Sequence, residues 1–296
     1  MILRTLLFLI LYIASVSAQG VSTGGTSLLL PISADQTSLA DAGVALRATA
    51  GAAAVNPAAL AGVARPGLRF THVQWMADVR TQALAAVLPT SSVVYTFGIT
   101  NTSVPGIPVR EIPGPATSEF TARAVSMRAG AAFGLADEVY AGITVKYLYE
   151  RLFVDDATGG AVDLGILYDS PDLPFRLGAS LTNLGSLSAF RSSTNDLPTA
   201  FQVGAARSME LIGVTWTGVV SYMRETRVQA NHIRAGLEAT YASAVSARIG
   251  YASGYETRGL SYGLGVRYEF IELDYAYIPM SLDRADAHCI TAGILF

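Results

Sequence analysis

The stretch LSYGLGVRYEF, residues 260–270, alternates without a break. Leu260, Tyr262, Leu264, Val266, Tyr268 and Phe270 fall on one face of an extended chain; Ser261, Gly263, Gly265, Arg267 and Glu269 fall on the other. Side chains of a strand point alternately to opposite faces, so this is a strand with one apolar side and one polar side. The pattern recurs. Ile233, Ala235, Leu237, Ala239 and Tyr241 alternate with Arg234, Gly236, Glu238 and Thr240; Val245, Ala247, Ile249 and Tyr251 alternate with Ser246, Arg248 and Gly250; Phe175, Leu177, Ala179 and Leu181 alternate with Arg176, Gly178, Ser180 and Thr182. Each run has the length of a tilted strand crossing a bilayer, about 9 to 12 residues.

The whole chain fits that reading. Of its 296 residues 51% are hydrophobic and only 15% charged, with a mean hydropathy of +0.39. Beyond the N-terminus no run is long and apolar enough for a membrane helix, so the hydrophobicity is dispersed. Within lipid every backbone polar group must be paired inside the protein, which leaves a closed sheet. Division at turn signals predicts fourteen strands, from residues 66–77 to 287–296. An even count places both barrel ends on one side, and the connections alternate: 103–118 long, 135–137 short, 151–160 long, 170–172 short, 185–197 long. The first turn, near Asp78, is short where the parity asks for a long one. The expected fold is an all-β transmembrane antiparallel barrel of about 14 strands, residues 66–296, in the bacterial outer membrane, where short turns face one side and longer loops the other.

The first residues, MILRTLLFLILYIASVSAQG, set Arg4 before an apolar run and end in the small-residue site Val16-Ser17-Ala18, which predicts a cleaved signal peptide over residues 1–18. Its removal leaves 19 basic against 23 acidic side chains, a balance that argues against a nucleic-acid partner. A single cysteine, Cys289, excludes a disulfide framework, and the three scattered histidines give no metal-ligand spacing. Neither a cofactor nor an enzymatic activity is expected.

Residues 19–65 lack alternation and read as a plug in the barrel lumen. A barrel of about fourteen strands is too wide for its own side chains to fill, and ATAGAAAVNPAALAG, residues 48–62, is uncharged and small enough to approach an inner wall closely. Ser38 and Asp41 read as a start signal for a helix from Leu39 to about Ala50. Asn56 is positioned to cap a second short helix, with Pro57 as its first residue, Ala58 following and Gly62 ending it.

Alternation assigns eleven charges to the lumen: Lys146, Glu150, Asp163, Arg176, Arg234, Glu238, Arg248, Arg267, Glu269, Glu272 and Asp274. Acids and arginines are interspersed, which predicts ion pairs rather than an acid/base catalytic pair. Gly263 and Gly265 are expected to make room for the plug. Asp155-Asp156 reads as a solvated turn in a loop, and the proline-rich VPGIPVREIPGP, 104–115, as a stiff external loop. In the final HCITAGILF, Ile290, Ala292, Ile294 and Phe296 are expected to face lipid, and Phe296 to serve as the signal read by the barrel-assembly machinery. Membrane lipid and that machinery are the partners implied by the fold.

The phrase LADAGVALRATAGAAAVNPAALAG resembles the N-terminal plug of FadL-like outer-membrane barrels, and within them of the PorV/PorQ family. Further pieces similar to that family are VDLGILY (162–168), LGASLTNLG (177–185), LPTAFQVGAA (197–206), IRAGLEATY (233–241), ARIGY (247–251) and LDYAYIP (273–279). The PorV/PorQ resemblance implies a non-enzymatic component of type IX protein secretion that docks or attaches cargo through sorting domains. The FadL-like resemblance implies instead a channel for hydrophobic solutes.

Overall fold

The computed structural model describes residues 24–110, 114–190, 193–227, 229–281 and 285–296, the side chains of 190 and 193–195 excepted. The expected signal peptide, 1–18, lies outside the described residues. Fifteen strands form one sheet: β1 (Gly67–Gln74), β2 (Arg80–Pro89), β3 (Val93–Val109), β4 (Ser118–Ala136), β5 (Val139–Leu152), β6 (Asp155–Tyr168), β7 (Arg176–Phe190), β8 (Ser193–Asp196), β9 (Ala200–Leu211), β10 (Val214–Glu225), β11 (Ala230–Tyr241), β12 (Val245–Ala252), β13 (Leu260–Tyr268), β14 (Ile271–Ile278) and β15 (Ala287–Leu295). Neighbours in the chain pair antiparallel, β7 pairs onward with β9, and β15 returns to β1. Fourteen strands therefore close a barrel, and the short β8 is an extra strand on β7.

Alternation sorts the side chains as the sequence predicts. Leu264 is 61% exposed and Tyr268 70%, on the outer wall, while Ser261 at 3% points inward. The outer wall is apolar around the barrel, with Phe70, Leu84, Phe97, Ile143, Leu177, Leu237, Ile249 and Ile294 all exposed. No helix among the described residues is long and apolar enough to cross a membrane; the fourteen closed strands present the apolar outer face that lipid requires. Inward-facing hydroxyls pair across strands, Thr71 with Thr291 at 2.8 Å and Thr81 with Thr102 at 2.9 Å.

One end of the barrel carries tight connections such as Ile212-Gly213, both residues at positive φ as a two-residue hairpin turn demands. We call it the turn end, and the other the loop end. Pro66 enters β1 at the turn end, where its carbonyl accepts from the Phe296 amide at 2.8 Å, so both ends of the barrel meet there.

Three expectations about the loops change. The connection placed over 151–160 shrinks to Phe153-Val154, because β5 and β6 continue as a tall hairpin and Asp155-Asp156 begins β6 instead of sitting in a loop. The stretch placed in a proline-rich loop is strand as far as Val109: a bulge at Pro105-Gly106 lets β3 continue, since the extra residues absorb positions that a proline would spoil. Over 185–197, β7 extends and β8 folds against it.

Candidate functional site

The segment before the barrel threads the lumen from end to end. At the loop end the Gly24 carbonyl accepts from Arg227 at 2.7 Å and the Gly25 amide donates to Glu150 at 3.0 Å. Midway, the Ala34 amide donates to Thr291 at 2.9 Å, Ser261 to the Ser38 carbonyl at 3.1 Å and Gln202 to the Asp41 carbonyl at 2.9 Å. A buried segment must place its backbone groups somewhere; here wall side chains take many of them.

The segment is mostly short helical turns: one α-helical turn, α1 (Ala34–Ser38), and 3-10 turns at Thr26–Leu29, Gly43–Ala45, Gly51–Ala54 and Pro57–Leu60. The helix expected from Leu39 to Ala50 does not form. Ala40 and Asp41 both take left-handed φ of 56°, and Ser38 ends α1 instead of capping a new helix. The physical reason is that the Asp41 carbonyl is held by Gln202 and Arg234 from the wall, which replaces the helical bond it would accept.

Asn56 does sit as a cap. Its Oδ1 accepts from the Ala58 amide at 3.0 Å, and Pro57 opens the turn. Its Nδ2 also donates to the Val44 carbonyl at 2.6 Å and the Ile166 carbonyl at 3.2 Å. One fully buried side chain thus joins two turns of the plug to β6. Asn56, Pro57, Ala58 and Leu60 are all buried, and Ala58 packs with Leu39, Ala42, Ala45 and wall residues Leu167, Ala206 and Val219.

Glycines in the wall shape the seat. A Cβ on Gly165 would overlap the Asn56 carboxamide, one on Gly142 the backbone of Pro57-Ala58, one on Gly178 the Val44 carbonyl, and one on Gly263 the Ser38 side chain. Gly263 clears the plug, as the sequence suggested. Gly265 instead clears Arg248 and Asp274.

The lumen charges converge beneath α1. Arg248 pairs with Glu238 and, at 2.7 Å, with Asp274; Arg267 pairs with Glu272 at 2.5 Å. Two residues that alternation had not singled out complete the network: Arg69 on β1 reaches Asp274 at 3.5 Å, Glu272 at 3.9 Å and, at 2.8 Å, Asp35 of α1. Burial alone would raise the Asp35 pKa, but Arg69 and Arg248, with hydrogen bonds from Ser33 and Gln36, bring it down to about 2. The plug is therefore ionically tied to the wall. Arg69 was legible as the polar residue between Leu68 and Phe70; its partner Asp35 had no such signal.

Arg234 lies apart from this network, donating to the Asp41 carbonyl at 3.3 Å and to Tyr255 at 2.5 Å. Glu269 is not a lumen charge. β13 ends at Tyr268, and Glu269 is exposed in the hairpin turn at φ 52°, because the polar-apolar alternation runs on into the turn after the strand has ended. Lys146 pairs with Asp163 at 2.6 Å and with Asn183 at 2.8 Å; Arg176 donates to Ser208 at 3.2 Å. Phe296 is 65% exposed on the outer wall. No cluster of metal-ligand residues occurs among the described residues.

Above the plug, toward the loop end, the inner wall turns apolar. Leu148, Ala157, Ala161, Leu187 and Leu197 form a buried cluster from β5, β6, β7 and the approach to β9, and Leu28 covers it. Leu28 also lines a cavity of about 160 Å³ with Leu30, Ala53, Ala83, Val87 and Met223, polar groups including Arg128 and Lys146 completing its wall. On the turn side of the plug lies a polar vestibule of about 350 Å³, bordered by Asp35, Arg69, Glu238, Arg248 and Asp274.

No family model matches the chain, and no curated protein matches it in sequence. Solved structures do. The CymD monoaromatic hydrocarbon channel aligns with TM-score 0.61 at 12% identity, covering 92% of this chain and 99% of that one. The P. putida toluene transporter TodX aligns with TM-score 0.54 at 12% identity over 81% and 92% of the two chains. A Pseudomonas aeruginosa FadL homologue aligns with TM-score 0.52 at 11% identity over 90% and 97%. The chain therefore shares the FadL-like barrel fold. The PorV/PorQ part of the sequence resemblance gains no support from these comparisons.

Proposed function

We propose that this chain is an outer-membrane barrel that admits small hydrophobic solutes through its loop end. The single observation that carries the reading is the apolar cluster around Leu187 on the inner wall. A water-filled pore has a polar interior, and a greasy patch inside a lumen is useful to an apolar solute. Leu28 packs over it beside Gly25, and the cavity of about 160 Å³ that Leu28 also borders is of the size that takes one aromatic ring. The fold shared with channels named for monoaromatic hydrocarbons and toluene supports the same reading. A docking role in type IX secretion has no feature of the site in its favour: the hairpin at Phe153-Val154 and the connection at 75–79 offer little surface for a large partner.

In this account the solute enters from the loop end and seats against Leu148, Leu187 and Leu197 in place of Leu28. Asn56 and the ions around Arg69 hold the rest of the plug. The test is uptake of toluene by cells with an intact outer membrane and no hydrocarbon channel of their own. Expression of the chain raises the initial rate, Leu187→Gln returns it to the vector level, and uptake of a sugar of similar size stays at background. Equal uptake with and without the folded barrel would remove the proposal.

A further inference from the structure

Arginines stand in line on the outer wall. Arg80 on β2 is the register partner of Ser103 on β3, Ser103 of Arg123 on β4, and Arg123 of Arg151 on β5. Partners in register share a face, and this is the face of Leu84, Phe97, Ile99, Met127, Val145 and Tyr147, all exposed toward the turn end. The row spans three strand spacings, about 14 Å. On β2 and β3 it follows Gln82 and Asn101, the first polar outward positions after Leu84 and Ile99, and Leu152 ends β5 one residue beyond Arg151.

Among the described residues these charges are answered only in part. Arg80 and Arg123 are exposed and have no carboxylate within ion-pair distance among the described residues; Arg151 has Asp156 at 3.6 Å, with both side chains about half exposed. Arg123 and Arg151 are directly opposed across β4 and β5. Like charges opposed on neighbouring strands repel, so the row is stable where an anion lies between them. Arginine's planar fork suits a phosphate, which accepts two of its bonds at once. A lipid headgroup presents such a phosphate to an outer wall.

We infer that Arg80, Arg123 and Arg151 dock the phosphates of an anionic lipid in the leaflet at the loop end. The inference rests on the membrane-barrel reading above. The occupant is the lipid and not free phosphate, because past Gln82 and Asn101 the same face turns apolar at Leu84, Ile99, Met127 and Tyr147, which can take its acyl chains.

The full-length barrel in mild detergent is mixed with diphosphorylated lipid A or with phosphatidylcholine, and bound lipid is read by native mass spectrometry. Lipid A stays on the wild-type barrel, phosphatidylcholine does not, and inorganic phosphate fails to displace it. Arg80→Ala with Arg123→Ala lowers the bound fraction about tenfold or more, whereas the double lysine variant keeps most of it. Equal retention by the alanine variant, equal retention of phosphatidylcholine, or displacement by inorganic phosphate would overturn the inference. A heat-modifiable gel shift accompanies each sample: a folded wild-type barrel that holds neither lipid defeats the docking row alone, and a chain that forms no heat-modifiable barrel defeats the membrane reading with it.

Discussion

The Asn56 carboxamide occupies the space in which a side chain on Gly165 would begin. That contact joins a cap inside the plug to a strand of the wall, and it makes the plug a fitted part instead of a loose filling. The same Asn56 side chain donates to the carbonyls of Val44 and Ile166.

Loss of this fit should loosen the plug and leave the barrel closed. Asn56→Ala removes a cap and two buried hydrogen bonds, a cost of about 1 to 3 kcal/mol. Gly165→Ala acts from the wall side by forcing the carboxamide out. Both variants should raise amide exchange across residues 44–60 while exchange in β12 to β15 stays at the wild-type rate. Faster exchange throughout the barrel would show that plug and wall fold as one unit.

The Asp35–Arg69 pair sets a pH window. Burial opposes the charge on Asp35, yet Arg69 and Arg248 hold its pKa at about 2, below its usual value of 3.8. A depressed carboxylate contributes stability that is full above the unfolded value and lost as pH falls through the folded one. Protease sensitivity of the plug should therefore be flat from neutral pH down to about 5 and rise only between about 4 and 2. Asp35→Asn should abolish that acid step and raise the sensitivity at neutral pH.

Glu272 and Glu269 separate lumen from turn. Glu272 faces Arg69 and Arg267, so Glu272→Gln should weaken the seat of α1 and change the single-channel conductance noise of the reconstituted barrel. Glu269 lies exposed in the turn, and Glu269→Gln should match wild type within about 0.5 kcal/mol of stability. Equal effects would contradict the placement.

Phe296 offers a test of assembly. Its side chain is exposed on the outer wall, so its removal deletes little internal packing, although the hydrogen bond its amide donates to the Pro66 carbonyl is lost. Deletion of Phe296 should lower the yield of heat-modifiable barrel in cells, while the purified chain still refolds in detergent. Failure to refold in detergent would make the residue structural.

The barrel was legible because alternation is local: one strand of nine residues states which side meets lipid. The plug was legible as small residues with a cap, but its path was not. Asp35 meets Arg69 and Asn56 meets Gly165 only after the strands close, and no spacing in the sequence encodes which wall residue a plug residue touches. Glu269 was misplaced for the opposite reason, since the pattern runs past the end of its strand. The apolar patch around Leu187 went unseen because Leu148, Ala157 and Leu187, read one strand at a time, look like ordinary alternation.

The central claim is that an apolar solute binds inside the lumen, on the loop side of the plug. Crystals of the barrel grown with bromobenzene test it through the anomalous signal of bromine. The account predicts a peak within contact distance of Leu148, Leu187 and Leu197, with Leu28 displaced. Bromine found only on the outer wall, with Leu28 still covering the patch, would contradict it.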